Sequence, residues 1–249
     1  MLLNSVGLAA LFLVPMAMVV VIASRRRARY REATTEPFTN LPLRPPGESL
    51  RLKVEALEEE MSDAFAIMGG VGVVGVTSSL VAPESIRAVA VGIMFVLAVC
   101  VSAWKGRTIL KLSRELWNYR LGFTGERVVG EELNQLMASG FRVFHDLPFD
   151  GFNIDHVLVG PPGVFAVETK TRRKPADIKG LERAQVFSDG ERLRFPKDKY
   201  DSKAIPQARR NAETLAKWLT SATGQRVTVS AILTLPGWMV RRAGRKVES

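Results

Sequence analysis

Residues 154–170 read Ile154-Asp155-His156-Val157-Leu158-Val159-Gly160-Pro161-Pro162-Gly163-Val164-Phe165-Ala166-Val167-Glu168-Thr169-Lys170, two apolar, β-branched runs joined by a Gly-Pro-Pro-Gly turn. The pattern predicts one strand over 153–159 and a second over 164–170. Side chains alternate faces along a strand, so Val164, Ala166, Glu168 and Lys170 leave one face while Phe165 and Val167 leave the other. A carboxylate and an ammonium therefore stand side by side. Asp155 is out of place among Ile154, Val157, Leu158 and Val159 unless it is paired or bound to a metal.

Outward from this centre, helix and strand signals alternate. A helix starts at Thr124 or Gly125, with Val129, Leu133, Leu136 and Met137 on one face, and Gly140 ends it. At roughly 100° per residue Glu126 falls on that apolar face and Glu131 points away. Residues 141–147 form another strand candidate, 186–195 a hairpin around Asp189-Gly190, and 226–235 a last β-branched strand. Between them Pro206 opens a helix reaching about Leu219. The order implies an α/β sandwich around a central mixed sheet.

The first half of the chain has a different composition. Residues 1–23 hold Asn4 as their only strongly polar side chain, enough apolar length to cross a bilayer. Positive charge follows this run at Arg25, Arg26, Arg27, Arg29 and Arg31 instead of preceding it, which favours an anchor over a cleaved leader. We expect a transmembrane helix over 1–24, a basic, Pro-rich linker over 25–50, a short charged helix over 51–64 that Ser49 caps, and a transmembrane hairpin over 65–104. A basic connector helix follows over 105–121, then the soluble domain over 122–238 and a basic tail over 239–249. Arg and Lys flank the apolar runs on one side, at 25–31 and at Lys105, Arg107, Lys111 and Arg114. That places the N-terminus outside and the C-terminal domain in the cytoplasm of a multi-pass cell-membrane protein. Gly69, Gly70, Gly72 and Gly75 suit close helix approach, either within the hairpin or in a homo-oligomer.

The formal charge of +10 with a pI near 10.1 points to acidic partners, nucleic acid or anionic lipid. One cysteine, Cys100, excludes an internal disulfide, and two histidines without a Cys pair disfavour an ordinary zinc site. Any metal should be held by oxygen. Three acids and a lysine beside one sheet suit metal-assisted phosphodiester hydrolysis by Mg2+, with Mn2+ as substitute. Asp155 and Glu168 would be direct ligands, Glu126 a further ligand or a water-mediated contact, and Lys170 a group positioning water or offsetting transition-state charge. On spacing alone, an ordinary Glu168–Lys170 surface pair and an Asp155 turn cap account for the pattern equally well.

The string 154–160 followed by 163–170, with Gly125-Glu126, Val129 and Leu133 upstream and the His145-Asp146-Leu147 strand end, resembles the NERD (nuclease-related) domain of the PD-(D/E)xK superfamily. The resemblance runs over about 122–238, nearly half of the chain. It implies a restriction-endonuclease-like core, a mixed central sheet flanked by helices, here preceded by about three transmembrane helices. It also implies that Glu126, Asp155, Glu168 and Lys170 occupy active-site positions, joined by a glutamine on the second core helix, for which Gln207 stands in place. Ile154 departs from the wider superfamily, which has proline before this aspartate. Arg172, Arg173 and Lys174 beyond the strand, with Arg209 and Arg210 on the helix, are the expected contacts to nucleic-acid phosphates, DNA being the expected partner. No sequence-reading module is recognisable. A metal-dependent nuclease is the leading reading, and a non-catalytic nucleic-acid-binding or membrane-scaffold module is the alternative.

Overall fold

The computed structural model describes residues 22, 25, 26 and 43–242. The first expected span, the arginine run apart from Arg25 and Arg26, and residues 243–249 of the tail lie outside the described residues. The chain divides into two units, Met1–Pro42 with Leu57–Arg114, and Leu43–Ala56 with Glu115–Ser249.

Two long helices, α1 (Glu48–Val81) and α2 (Arg87–Gln135), contribute residues to both units. The charged segment and the first apolar run expected as separate elements are one helix, and so are the second apolar run, the basic connector and the helix expected to begin at Thr124 or Gly125. No proline interrupts either stretch, Thr124 bonds back to Arg120 O at 2.9 Å instead of capping a new helix, and continuous i to i+4 bonding wins over the change in composition. Both helices are long and apolar enough to cross a membrane. Val76, Leu80, Val89, Ile93, Phe95 and Val96 are exposed, and none of the most apolar window of the second helix is buried. A soluble core helix would bury that stripe. In this unit Gly75 lies against Met94, whereas Gly69, Gly70 and Gly72 meet nothing among the described residues.

The second unit carries two four-stranded sheets. The first has the order β1-β2-β3-β7, formed by β1 (Arg142–Phe149), β2 (Phe152–Gly160), β3 (Gly163–Thr169) and β7 (Val229–Thr234). β1 and β2 pair antiparallel, β2 and β3 antiparallel through the Pro161-Pro162 turn, and β3 and β7 parallel. The sheet is therefore mixed, as the sequence implies. α3 (Ala204–Thr223) packs Ala212 and Leu215 against Ile154, Val157 and Ala166 on one face. Val129 of α2 packs with Val143, Leu158 and Val167 on the other. This is the expected sandwich.

The β1–β2 ladder has one defect. Pairing runs from Arg142↔Val159 to His145↔His156 and resumes at Leu147↔Ile154, skipping Asp146 opposite Asp155. Asp146 adopts φ 47°, a left-handed conformation that aspartate tolerates better than most residues. Strict alternation is lost there, which is why Phe144 and Leu147, three apart, join one cluster.

The second sheet, β6-β5-β4-β8, is formed by β4 (Gln185–Ser188), β5 (Leu193–Phe195), β6 (Lys199–Asp201) and β8 (Met239–Arg242). Its β4–β5 hairpin turns through Asp189-Gly190 as anticipated, with Gly190 at φ 93°. β6 and β8 were not anticipated, and residues 239–242 pair parallel with β4 instead of trailing as a tail. Strands of three or four exposed residues carry almost no period-two signal. α3 begins two residues before Pro206 because Asp201 Oδ1 accepts the N–H groups of Lys203 and Ala204 at 2.9 and 3.0 Å, capping the helix.

Residues 43–56, expected to be mostly linker, pack into this unit. Pro46 fills the space a side chain at Gly130 would need, and Gly47, at φ 73°, lies against Phe123. Ser49 is the second residue of α1, not its cap; the cap is Asp146, 1% exposed, which accepts Ser49 Oγ at 2.6 Å and Ser49 N–H at 3.0 Å. Arg44 and Asn153 donate to the same carboxylate at 2.9 Å each. An anion at a helix N-terminus also complements the helix dipole.

Candidate active site

The sheet brings two acids and a lysine to the end of β3, and α2 adds a third acid whose charge is felt there. Glu168 is 2% exposed, and its Oε1 pairs with Lys170 Nζ at 2.6 Å while its Oε2 accepts Asn211 Nδ2 at 2.7 Å. The expected common face of Glu168 and Lys170 is thus present. Lys170 is held beside β7 by its N–H to Thr234 O, 2.9 Å. Asp155 is half-buried, and its Oδ2 accepts the Thr169 N–H at 2.7 Å, so a side chain takes a backbone donor at the ladder defect.

Glu126 arrives from α2. It is 8% exposed, beside buried Val129, whereas Glu131 is exposed and pairs with Arg127 at 3.1 Å, in agreement with the helical count. Gly125 makes this approach possible, since any Cβ there would collide with the Thr171 side chain that follows β3. Gly47 also lies over this region, 3.5 Å from Glu126 Oε2 to the place a Cβ would occupy.

The electrostatics are those of crowded carboxylates. Burial, then the charges of Asp155, Asp146 and Glu168, push the Glu126 carboxyl up to about 8. Burial and the Glu168 charge push Asp155 up to about 7, against the lowering effects of the Thr169 N–H and Lys170. Glu168 is also raised by burial, with Lys170, Asn211 and Arg210 opposing. Like charges in a poorly solvated site cannot all ionise without a compensating cation.

Among the described residues no three His, Cys, Asp or Glu side chains are grouped so as to hold a metal ion. No hydrogen bond or ion pair joins Glu126 to Asp155 or Glu168. The donor chemistry nonetheless fits Mg2+, which takes hard oxygen ligands and is normally held by one or two carboxylates with water and substrate phosphate completing its shell. Asp155 Oδ1 accepts no hydrogen bond among the described residues, and Glu168 is the second oxygen donor nearby in charge.

Gln207 is half-buried on α3, and the residue that touches the site is Asn211, one turn later. Asn211, which shares the helical face of Gln207, was not among the expected site residues; a polar amide among Ala208, Ala212 and Leu215 on that otherwise apolar face is the signal that could have found it. Arg209 is bound to the β4–β5 hairpin through Glu191 and Gly190 O at 3.0 and 2.9 Å. Arg210 is exposed, with its charge felt at Glu168. Arg172, Arg173 and Lys174 line a cavity of about 740 Å3.

The two histidines form a separate buried network. His145 Nε2 lies 3.0 Å from Asn134 Oδ1, so it carries the proton, and its bare Nδ1 accepts His156 Nδ1–H at 2.9 Å. His156 Nε2 is then an unprotonated, buried atom without a partner among the described residues. Burial and His145 push the His156 ring down to about 3.

Residues 121–236 match the family described as NERD, the nuclease-related domain. No curated protein and no solved structure matches the chain.

Proposed function

Taking residues 121–236 as a nuclease-related domain, we propose that the chain is a membrane-anchored, Mg2+-dependent nuclease. It hydrolyses phosphodiester bonds of nucleic acid, DNA being the expected substrate, at the cytoplasmic face. The observation that carries the reading is the Glu168–Lys170 pair at 2.6 Å beside Asp155, where the end of β3 sets a buried carboxylate and a cation against an acid of the adjacent strand. Asp155 and Glu168 would hold the metal, with Glu126 as a further ligand or a water-mediated contact. Once bound, the cation lowers the pKa of water at the phosphate and offsets charge on the phosphoryl oxygens.

The chain's own groups do the positioning. The Thr169 N–H fixes Asp155, Asn211 fixes Glu168 Oε2, and Lys170 carries the positive charge that meets the attacked phosphate. Glu126, raised to about 8, keeps a proton at neutral pH until a cation or substrate changes its field. Anchoring rests on the two long apolar helices and on Lys105, Arg107, Lys111 and Arg114 behind the second, which favour a cytoplasmic domain. The open faces of Gly69, Gly70 and Gly72 suit self-association.

The absence of a three-ligand cluster among the described residues favours one other reading, a nucleic-acid-binding or scaffold module that keeps the fold without turnover. Full-length protein in detergent, given plasmid, linear duplex, single-stranded DNA and RNA with Mg2+ or Mn2+, separates the two. Metal-dependent cleavage lost in Asp155→Asn and in Lys170→Ala is the expected result. Folded protein that cleaves no substrate above those variants supports the module.

A further inference from the structure

Three consecutive basic residues follow the proposed catalytic strand, and each is stacked on an aromatic ring. Arg172 lies 4.2 Å from the ring centre of Phe195, Arg173 5.7 Å from that of Trp117, and Lys174 6.0 Å from that of Trp238. Arg173 also donates to Trp117 O at 2.9 Å, and Trp238 Nε1 donates to Arg172 O at 3.2 Å. Stacking and bonding order these long side chains before any ligand arrives, so less rotamer freedom remains to be lost on binding.

All three line the cavity of about 740 Å3, and so do Lys197 and Lys199, from the β5–β6 turn and β6. No acid lines it. Arg172 has only a loose contact with Asp201, 3.8 Å, and Lys197 pairs with Asp177. Lys174 and Lys199 have no ion pair among the described residues. Thr171, the residue after Lys170, is part of the wall, so the cavity begins within one residue of the proposed reaction centre.

We propose that this cavity binds the sugar-phosphate backbone of a single nucleic-acid strand leading away from the scissile phosphate, holding successive phosphates without reading bases. Five converging cations with no lining acid match a chain of closely spaced anions, and the two arginines supply forked donors suited to phosphate oxygens. A space of about 740 Å3 is of the size that encloses a small ligand, enough for a short stretch of one strand's backbone and too small for the body of a duplex. The position of the scissile phosphate rests on the nuclease reading; the binding itself does not.

The test is fluorescence anisotropy of labelled oligo(dT) with full-length protein in detergent and EDTA, so that no cleavage intervenes. In Lys174→Gln/Lys197→Gln/Lys199→Gln, Kd is expected to rise roughly tenfold or more at 0.15 M salt, and the salt slope to become shallower by about 2. The corresponding triple Lys→Arg variant retains affinity, and both variants keep the wild-type melting temperature. Wild-type affinity and slope in the glutamine variant overturn the proposal. A duplex of equal length that binds as tightly and loses as much overturns the single-strand assignment. Loss of capture on phosphatidylglycerol vesicles with oligo(dT) binding unchanged gives the surface to lipid and overturns it too. Strand binding through these lysines without cleavage refutes the nuclease reading alone, whereas cleavage with unaltered binding in the variant refutes the cavity alone.

Discussion

Asp155→Asn should stabilise the protein while abolishing the proposed activity. The Asp155 carboxyl is pushed up to about 7 by burial and by Glu168, from an ordinary value of 3.8. An acid whose folded pKa lies above its unfolded pKa binds more protons in the folded state, so stability falls as pH rises from about 4 to about 7 and is flat beyond. At roughly 1.36 kcal/mol per unit, the ionised carboxylate costs at most about 4 kcal/mol at pH 8. Asparagine keeps an acceptor for the Thr169 N–H but gives up its charge-assisted strength, worth about 1 kcal/mol, which leaves a net gain of about 2–3 kcal/mol. For a domain of this size that is roughly 5–10 °C in Tm. The assay is thermal unfolding of full-length protein in detergent with EDTA, from pH 5 to pH 8. The variant's advantage should grow by about 3 kcal/mol from pH 5 to pH 8, and Mg2+ at pH 8 should raise the wild-type Tm but not the variant's. A variant no more stable than wild type at pH 8, or an advantage independent of pH, refutes the argument from crowded carboxylates.

Asn211→Ala leaves buried Glu168 Oε2 without its donor, and should cost about 1–3 kcal/mol in denaturant unfolding together with a loss of metal-dependent cleavage. Gly125→Ala drives α2 away from Thr171; a loss of about 1–3 kcal/mol by thermal unfolding and a fall in cleavage are expected, since Glu126 moves with the helix. His156 works in the opposite pH sense to Asp155. Its ring is held down to about 3 against 6.5 when exposed, so the unfolded chain binds more protons below pH 6.5 and stability declines as pH falls from there towards 3. That decline should flatten in His156→Leu, read as Tm against pH.

The legible parts of the molecule are those where a short repeat meets a buried surface. Alternation over 154–170 located two strands and put Glu168 beside Lys170, and the 3.6-residue period turned Glu126 inward. What escaped depends on distant partners or on too few residues. Gln207 and Asn211 share one face, and which of them meets Glu168 is decided by where α3 starts, a matter of the Asp201 cap. The Asp146 to Ser49 bonds span 97 residues, and no local pattern announces them. Runs of helix without a breaker hid the continuity of α1 and α2, because composition changes along them while the backbone does not.

The attachment of residues 43–56 to the sheet has a topological consequence. The unit that holds the acids is written in two pieces of sequence, with both apolar runs inserted between them. Pieces that fold against one another lie in the same compartment. Whatever part of 57–114 enters a bilayer must therefore come back out on the side it entered, an even number of crossings fixed by packing alone and independent of flanking charge. Translation meets the same constraint, since Asp146 cannot find Ser49 until the whole insertion has been made. A fragment beginning at residue 122 would carry that aspartate without its serine or its arginine, and would not be the same folding unit.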